Sequence, residues 1–412
     1  MTGASRRGRV LYLTQWFDPE PVMKGEGFVR GLIAEGYDVQ VCTGFPNYPT
    51  GRLYPGYAMK LFQRDVHDGV QVDRVPLYPS HDASSLRRAL NYLSFFASAL
   101  IYGLMRARRF DVVYVYHPPI TVGLAAALLG WVTRTPFILD IQDLWPDSVA
   151  VSGMSSSGRL AAVLDPVCRF VYRRAHRIVA QSAGIAARLS ERGVPPSKIA
   201  TLYNWADEDV LAPRPEKDLE RYGFEGNFNF VFAGNLGAVQ GLPTLIRAAV
   251  AAAEEDPRIR LHLIGDGLDA GRLRDLCRSI GGNVVRMHPP EAKAEIATVL
   301  ARAQVLVAHL NREPLFALTI PSKIQSYLAL GKPLLVAIEG ECATLVETAG
   351  AGLSAVPEDA LSVAAAMLKL AALSLDELER IGERSAALYA ERFSFASAIQ
   401  ATAGVIESAI ER

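Results

Sequence analysis

Short runs of β-branched and aromatic residues alternate with longer helical stretches along nearly the whole chain, and this alternation restricts the fold more than any other feature. Strands separated by helices pair in parallel through βαβ crossovers. In the first half the expected strands are Val10–Leu13, Val39–Thr43, Val70–Val75, Val112–Tyr116, Phe137–Asp140, Ile178–Ala180 and Ala200–Tyr203. In the second half they are Phe228–Ala233, Arg260–Ile264, Val284–Met287, Val305–Ala308, Leu334–Ala337 and Leu353–Ala355. Helical segments such as Pro243–Glu255, Leu268–Ile280 and Glu291–Arg302 separate most of them. The expected class is α/β, with two doubly wound, Rossmann-like sheets of roughly six strands each. The 412 residues agree, since one domain commonly takes about 100–200. A boundary is expected across Asn204–Gly226, which is charged, contains Pro213 and Pro215 and lacks sustained apolar periodicity. The expected domains are therefore 1–205 and 206–391, with a helix over about 392–412 packing back on the first.

Composition excludes several function classes. Lys and Arg number 43 and so do Asp and Glu, so no net field draws nucleic acid. Any anionic ligand must be met by a local basic cluster or by backbone amides. Cys42, Cys168, Cys277 and Cys342 form no CxxC pair and read as core residues of a reducing compartment. Arg6, Arg7 and Arg9 precede an apolar run of only Val10–Leu13, too short for a secretory signal, so a cytoplasmic location is expected. The seven histidines contain no HExxH spacing, and no GxSxG elbow occurs. Gly331-Lys332 is followed by Pro333 and makes no P-loop. Asp207-Glu208-Asp209 matches a metal-binding DxD but falls in the expected linker, where it reads as chance. No metal or cofactor is expected.

Ligands of open α/β sheets sit beyond the carboxyl ends of the strands, so the loops there carry the functional signal. After the first strand, Gly25-Glu26-Gly27 opens a helix, where glycine lets backbone amides approach an anion. A plain helix start needing small residues explains the same pattern. Gly234-Asn235-Leu236-Gly237-Ala238-Val239-Gln240-Gly241 follows a buried strand, and Gly265-Asp266-Gly267 follows the next, so two glycine loops suit a diphosphate better than either alone. In Arg312–Pro333, Pro321 suits a helix start, with Ser322 and Lys323 in the first turn. A lysine there opposes the helix dipole unless it meets an anion. In the first domain His117, Asp140, Asp143 and Asp147 lie at strand ends and can converge on one cleft. One of these carboxylates would suit acid–base work, while Asp147 also suits a helix cap.

These motifs resemble the retaining GT-B glycosyltransferases of family 4, in particular the WcaI/WbuB type of colanic acid, O-antigen and exopolysaccharide assembly. The resemblance rests on Phe17-Asp18-Pro19-Glu20-Pro21, Phe45-Pro46-Asn47-Tyr48-Pro49, Leu93-Ser94-Phe95-Phe96 and Ile141-Gln142-Asp143-Leu144-Trp145-Pro146-Asp147. It continues through Asn204-Trp205, the loops at Gly234 and Gly265, and Thr319-Ile320-Pro321-Ser322-Lys323 with Tyr327-Leu328-Ala329. It implies a GT-B fold, two Rossmann-like domains facing across an interdomain cleft, and sugar transfer with retention and without a metal. It assigns the nucleotide-sugar donor, UDP favoured, to Gly25, Gly234, Asn235, Gly237, Gln240, Gly265, Asp266, Gly267, Met287, Ser322, Lys323 and Ser326. Catalytic roles fall to His117, Asp143 and Lys323, and acceptor contacts to Glu20, Lys24, Tyr48 and Trp145.

The sequence departs from the family at named positions. Asn235 and Gln240 stand where the glycine loop commonly carries Arg and Lys, and Leu318 and Ser326 stand where the family has a pair of glutamates; Glu313 lies earlier. Charge balance for a diphosphate then falls on Lys323 and its helix start. Front-face attack, with the leaving diphosphate taking the proton, would need no separate base. The stretch Ala89–Met105 is apolar and flanked by Arg87, Arg88, Arg106, Arg108 and Arg109. It suits docking on an anionic membrane surface, peripheral to the inner face, where a polyprenyl-diphosphate-linked saccharide acceptor would be met; a helix buried on the first sheet is the plainer alternative. Two rival functions remain at this level: a nucleotide-sugar epimerase of the same fold, and a non-catalytic sugar-nucleotide-binding partner. A periplasmic binding protein is disfavoured by the missing signal segment.

Overall fold

The computed structural model describes residues 7–81, 84–117, 119–148, 158–211 and 220–411. Positions 212–219 of the expected linker, with Pro213 and Pro215, lie outside the described residues, as do Arg6 and Pro118. Two units emerge, Met1–Leu202 with Ile399–Arg412, and Tyr203–Ala398.

The first unit is built on eight strands: β1 (Gly8–Leu13), β2 (Tyr37–Gly44), β3 (Gln63–His67), β4 (Val70–Val75), β5 (Val112–His117), β6 (Phe137–Ile141), β7 (Arg177–Ala180) and β8 (Ile199–Thr201). Their order is β3-β4-β2-β1-β5-β6-β7-β8, parallel throughout except at β3. Val112–His117 is buried at every position, as expected for a parallel strand covered on both faces. β3 went unforeseen because Gln63–His67 carries no apolar run and stays half-buried or exposed. A signal for it exists: Asp68-Gly69, with φ of +44° and +84°, is a two-residue hairpin turn whose central residues both need positive φ.

Three helices of this unit matter below: α1 (Glu26–Ala34), α2 (Ser85–Arg106) and α3 (Ile120–Thr133). α2 buries Asn91, Phe95, Ala99 and Tyr102 at four- and three-residue spacing, one stripe against the unit. Gly103 lets α3 approach, since a Cβ there would lie 2.3 Å from a methyl of Leu129. The opposite face of α2 leaves Leu86, Leu90, Leu93, Ile101, Leu104 and Met105 exposed.

The second unit has six parallel strands, β9 (Phe228–Ala233), β10 (Ile259–Ile264), β11 (Val285–His288), β12 (Val305–His309), β13 (Leu334–Ala337) and β14 (Gly352–Ser354), in the order β11-β10-β9-β12-β13-β14. Period-two alternation divides its core. Phe230, Phe232, Leu261 and Leu263 pack on one face; Val231, Ile264 and Leu306 pack on the other with Ile324, Tyr327 and Leu328. The final helix, Phe395–Ile410, counts with the first unit from Ile399. The Tyr37 hydroxyl donates to its Ala403 carbonyl at 3.0 Å, and Arg177 Nε donates to Ser408 Oγ at 3.0 Å.

Both sheets have a switch point. The chain lays β2 and β4 on one side of β1 before returning to place β5 on the other, and it does the same around β9 with β12. The carboxyl ends of β1 and β5, and of β9 and β12, are therefore where each sheet can hold a ligand.

Candidate functional site

The second unit gathers its chemistry at the end of β9. Gly234 (φ +139°) and Gly265 (φ +143°) sit at neighbouring strand ends, and a Cβ on Gly265 would lie 1.9 Å from the Gly234 carbonyl oxygen. A Cβ on Gly267 would lie 2.6 Å from Asn235 Oδ1. These glycines let two loops press together. Their amides are already used: Gly234 donates to Ile264 at 2.9 Å, Gly265 to His288 at 3.2 Å and Gly267 to the Asp266 carboxylate at 2.9 Å. Gly234, expected on the diphosphate side, and Gly265 and Gly267, expected on the nucleotide side, therefore offer no free amide of their own. The amides of Asn235, Gly237, Ala238 and Val239 have no partner among the described residues and stay open to an anion. Met287, paired in register with Leu263, is half-buried and packs beside the sheet core.

Lys323 stands beside this loop, in the first turn of the helix Ser322–Ala329. Pro321 caps that helix without a side-chain bond, which leaves its first amides unsatisfied. Lys323 Nζ lies 3.6 Å from the centroid of the Phe232 ring and donates to Gln240 Oε1 at 2.7 Å. Burial pulls its pKa from 10.5 down to about 7, and among the described residues no acidic neighbour offsets this. An ammonium in such a place lacks a counter-charge that an anionic ligand would supply. Ser322 is exposed at the same helix start, while the half-buried Ser326 turns its hydroxyl back to the Ser322 carbonyl at 3.5 Å.

A relay behind Gln240 escaped the sequence. His309, the last residue of β12, contacts the Gln240 carbonyl through Nδ1 at 2.9 Å, and its Nε2 accepts from the Glu358 amide at 3.1 Å. The amide fixes Nε2 as acceptor, so Nδ1 carries the proton. Burial lowers the His309 pKa to about 4, which keeps the ring neutral. Gly241 makes room: at φ +58°, a Cβ there would lie 2.2 Å from His309 Cε1. The loop, Lys323 and β12 are thereby held as one piece.

In the first unit the site residues sort into internal props and open groups. Lys24 and Asp140 form a fully buried ion pair, and Asp140 also accepts from Tyr114 Oη at 2.6 Å and Gln142 Nε2 at 2.6 Å. Glu20, also buried, accepts from the amides of Phe17, Asn47 and Tyr48 at 2.7–3.0 Å. Both Lys24 and Glu20 are therefore spent on holding loops, which replaces the expected acceptor contacts. Gly25 is displaced as well. The Asp18 carboxylate caps α1 by accepting from the Glu26 amide at 2.5 Å, and it occupies the place an anion would take. Asp147 pairs with Arg192 and Arg188, and Trp145 is buried.

His117 is the unpartnered group. It ends β5 at the switch point, is fully buried, and neither ring nitrogen has a partner among the described residues. Burial lowers its pKa to about 3, so the imidazole is neutral. Two unsatisfied nitrogens in a core cost about 1–3 kcal/mol each unless a ligand engages them. Burial pushes the Asp143 carboxyl above its ordinary value. Tyr48 stacks on Trp16 at 4.6 Å, with Tyr92 edge-on to Trp16 at 6.5 Å, giving a half-exposed aromatic platform of which sequence reading found only Tyr48. Among the described residues no three His, Cys, Asp or Glu side chains gather as a metal site would require.

Comparison with known proteins finds glycosyl transferase domains in both units. Residues 26–205 match the model of a glycosyl transferase 4-like domain, and residues 227–372 that of glycosyl transferases group 1. The chain is 26% identical over 336 residues to the Escherichia coli (strain K12) protein named as the colanic acid biosynthesis glycosyl transferase WcaI, covering 78% of this chain and 80% of that one. It is 27% identical over 284 residues to the Pseudomonas aeruginosa protein named as glycosyltransferase WbjE, covering 66% and 69%. Among solved structures, Anabaena HepE in complex with UDP superposes with a TM-score of 0.69, covering 97% of this chain and 100% of that one. At 17% identity that likeness is one of fold.

Proposed function

Because the chain belongs to the GT-B glycosyltransferases of the WcaI-like group, we propose that it moves a sugar from a nucleoside diphosphate sugar to a lipid-linked saccharide acceptor in bacterial surface-polysaccharide assembly. The observation that carries this is Lys323, an ammonium without an acidic partner, between an open-amide loop and an uncapped helix start at the switch point of the second sheet. That is a site for a diphosphate leaving group. Uridine is the favoured base, in keeping with the UDP bound to HepE.

Transfer proceeds with retention in this proposal. Lys323 and the amides of Gly237–Val239 and Ser322 take up charge as the bond from the anomeric carbon to the diphosphate oxygen breaks. The acceptor hydroxyl attacks from the same face and gives its proton to the departing diphosphate. No metal or separate base enters the step. His117 hydrogen-bonds a sugar hydroxyl, and Trp16 with Tyr48 offers a stacking surface to the acceptor.

A thermal-shift panel of UDP-, GDP- and TDP-sugars tests the donor. A true donor at a hundred times its Kd stabilises by about 2.7 kcal/mol. A flat response to all of them removes the donor assignment, and an inverted anomeric centre in the product, read by proton NMR, removes retention alone.

The proposal places the protein at the cytoplasmic face of the membrane, held by α2. The exposed ridge from Leu90 to Met105 lies between the exposed Arg87 and Arg108–Arg109, with Leu61 and Phe62 exposed nearby. Among the described residues, the stretch apolar enough to cross a bilayer is Leu375–Ile410, and 44% of its most apolar window is buried in the protein. The chain should float with vesicles containing anionic lipid, and less so in high salt. Leu90→Glu with Leu93→Glu should abolish this; flotation unchanged in that variant contradicts docking through α2.

A further inference from the structure

Arg88 is a cation that the fold of the first unit does not use. It closes the first turn of α2, its amide donating to the Ser84 carbonyl at 3.1 Å. The side chain is partly buried and Nε is shut off from solvent. Among the described residues that Nε has no acceptor and the guanidinium no carboxylate. Arg74, buried in the same unit, shows the ordinary arrangement: it donates to the Gly44 and Asp18 carbonyls at 3.1 and 2.6 Å and pairs with Asp65 at 3.4 Å.

The surroundings of Arg88 belong to the aromatic platform. Helical spacing sets it beside Asn91 and Tyr92. Tyr92 stands edge-on to Trp16, which stacks on Tyr48, and His81 meets Tyr48 edge-on at 4.9 Å. The Arg88 charge reaches both flanks. It adds to the burial that lowers the His81 pKa, and it opposes the burial that raises the Tyr92 pKa. Asp143 also acts on Tyr92, but makes no ion pair with Arg88, and burial alone sets its own shift. Two further buried atoms here lack partners: Ser80 Oγ, one residue before His81, and Gln15 Oε1. Gln15 Nε2 donates to Asn91 Oδ1 at 2.6 Å, which ties Gln15 to the same face of α2.

The plain account is a solvated arginine in a membrane-docking collar. That account suits the exposed Arg87, but a solvated arginine would keep Nε in water. Leu90 and Leu93 are the residues that α2 turns outward here, while Arg88 keeps to the side of Asn91 and Tyr92.

We propose that Arg88 grips the diphosphate of a prenyl-diphosphate-linked acceptor, whose first sugar lies on Trp16 and Tyr48 and whose prenyl chain runs over Leu90 and Leu93. This rests on the reading of the acceptor as lipid-linked. A guanidinium fork matches diphosphate oxygens, and the positive start of α2 adds to the attraction. Leu93 lies five residues beyond Arg88, about 7.5 Å along the helix axis, so headgroup and chain meet successive parts of one element.

Geranyl diphosphate, a short soluble prenyl diphosphate, is titrated calorimetrically into the full chain, with geraniol and inorganic diphosphate as controls. Lys323→Ala is included because the second unit also suits a diphosphate. Wild type and Lys323→Ala should bind geranyl diphosphate alike, about tenfold or more tightly than either control. Arg88→Gln should bind it about tenfold less tightly, the worth of one charge-assisted contact. The same variant should melt no lower than the wild type, since it removes a partly buried charge without a partner, and should float with anionic vesicles unchanged. Tight binding of geranyl diphosphate that Arg88→Gln leaves intact overturns the assignment and keeps the lipid-linked acceptor. Flotation lost in Arg88→Gln with that binding intact overturns it too, in favour of membrane headgroups. Wild-type binding no tighter than that of inorganic diphosphate overturns both the assignment and the lipid-linked reading.

Discussion

Lys323→Ala is expected to lower kcat/KM for glycosyl transfer by about 10²–10³-fold, the usual effect of removing one group that stabilises charge developing in a transition state. The variant should fold. In the empty protein Lys323 is a liability: burial holds its pKa near 7, whereas it titrates near 10.5 in the unfolded chain. Between those values the unfolded chain binds more protons, so the stability of the empty protein rises with pH across that window. The alanine variant should lose this rise, and its thermal midpoint near neutral pH should be no lower than that of the wild type. Activity lost together with cooperative unfolding would point instead to a structural lysine. Near-normal turnover in a folded variant would remove Lys323 from the reaction.

Lys24→Met should have the largest effect on stability. It strands the Asp140 carboxylate in a core where both partners are fully buried. Removing one member of a buried pair typically costs about 3–5 kcal/mol. With a shift of about 2–4 °C per kcal/mol for a domain of this size, the first unit should melt roughly 10 °C lower. Lys24→Met combined with Asp140→Leu should recover much of the loss, since no charge is then left unpaired. Urea unfolding of the three variants measures this. An unchanged midpoint with weakened acceptor binding would restore the acceptor contact that the sequence suggests for Lys24.

Those two lysines show where sequence reading works and where it fails. Strands whose interiors are continuous β-branched runs, such as Val112–His117, announce themselves because both faces are buried. β3 does not, since its polar residues lie at a sheet edge and only Asp68-Gly69 betrays the hairpin. Lys323 was legible because a lysine in a first helical turn contradicts the dipole. Its setting was not: Gln240 lies 83 residues away, and His309 lies a further 69 from Gln240. Lys24 and Glu20 had the residue types of a binding site, yet their partners, Asp140 and the amides of Asn47 and Tyr48, come from distant segments. A motif records which polar groups sit near a strand end. Whether they face a ligand or one another depends on contacts over long separations.

Lys323 also provides the most direct test of the donor site. If a nucleoside diphosphate enters beside an amine whose pKa is near 7, its charge should raise that pKa and draw in a proton. UDP is therefore titrated at pH 8 into wild type and Lys323→Ala, in two buffers of different ionisation enthalpy. The account predicts proton uptake in the wild type, with affinity at least about tenfold weaker and no uptake in the variant. Equal affinity in the two proteins, with no buffer dependence in either, would contradict it.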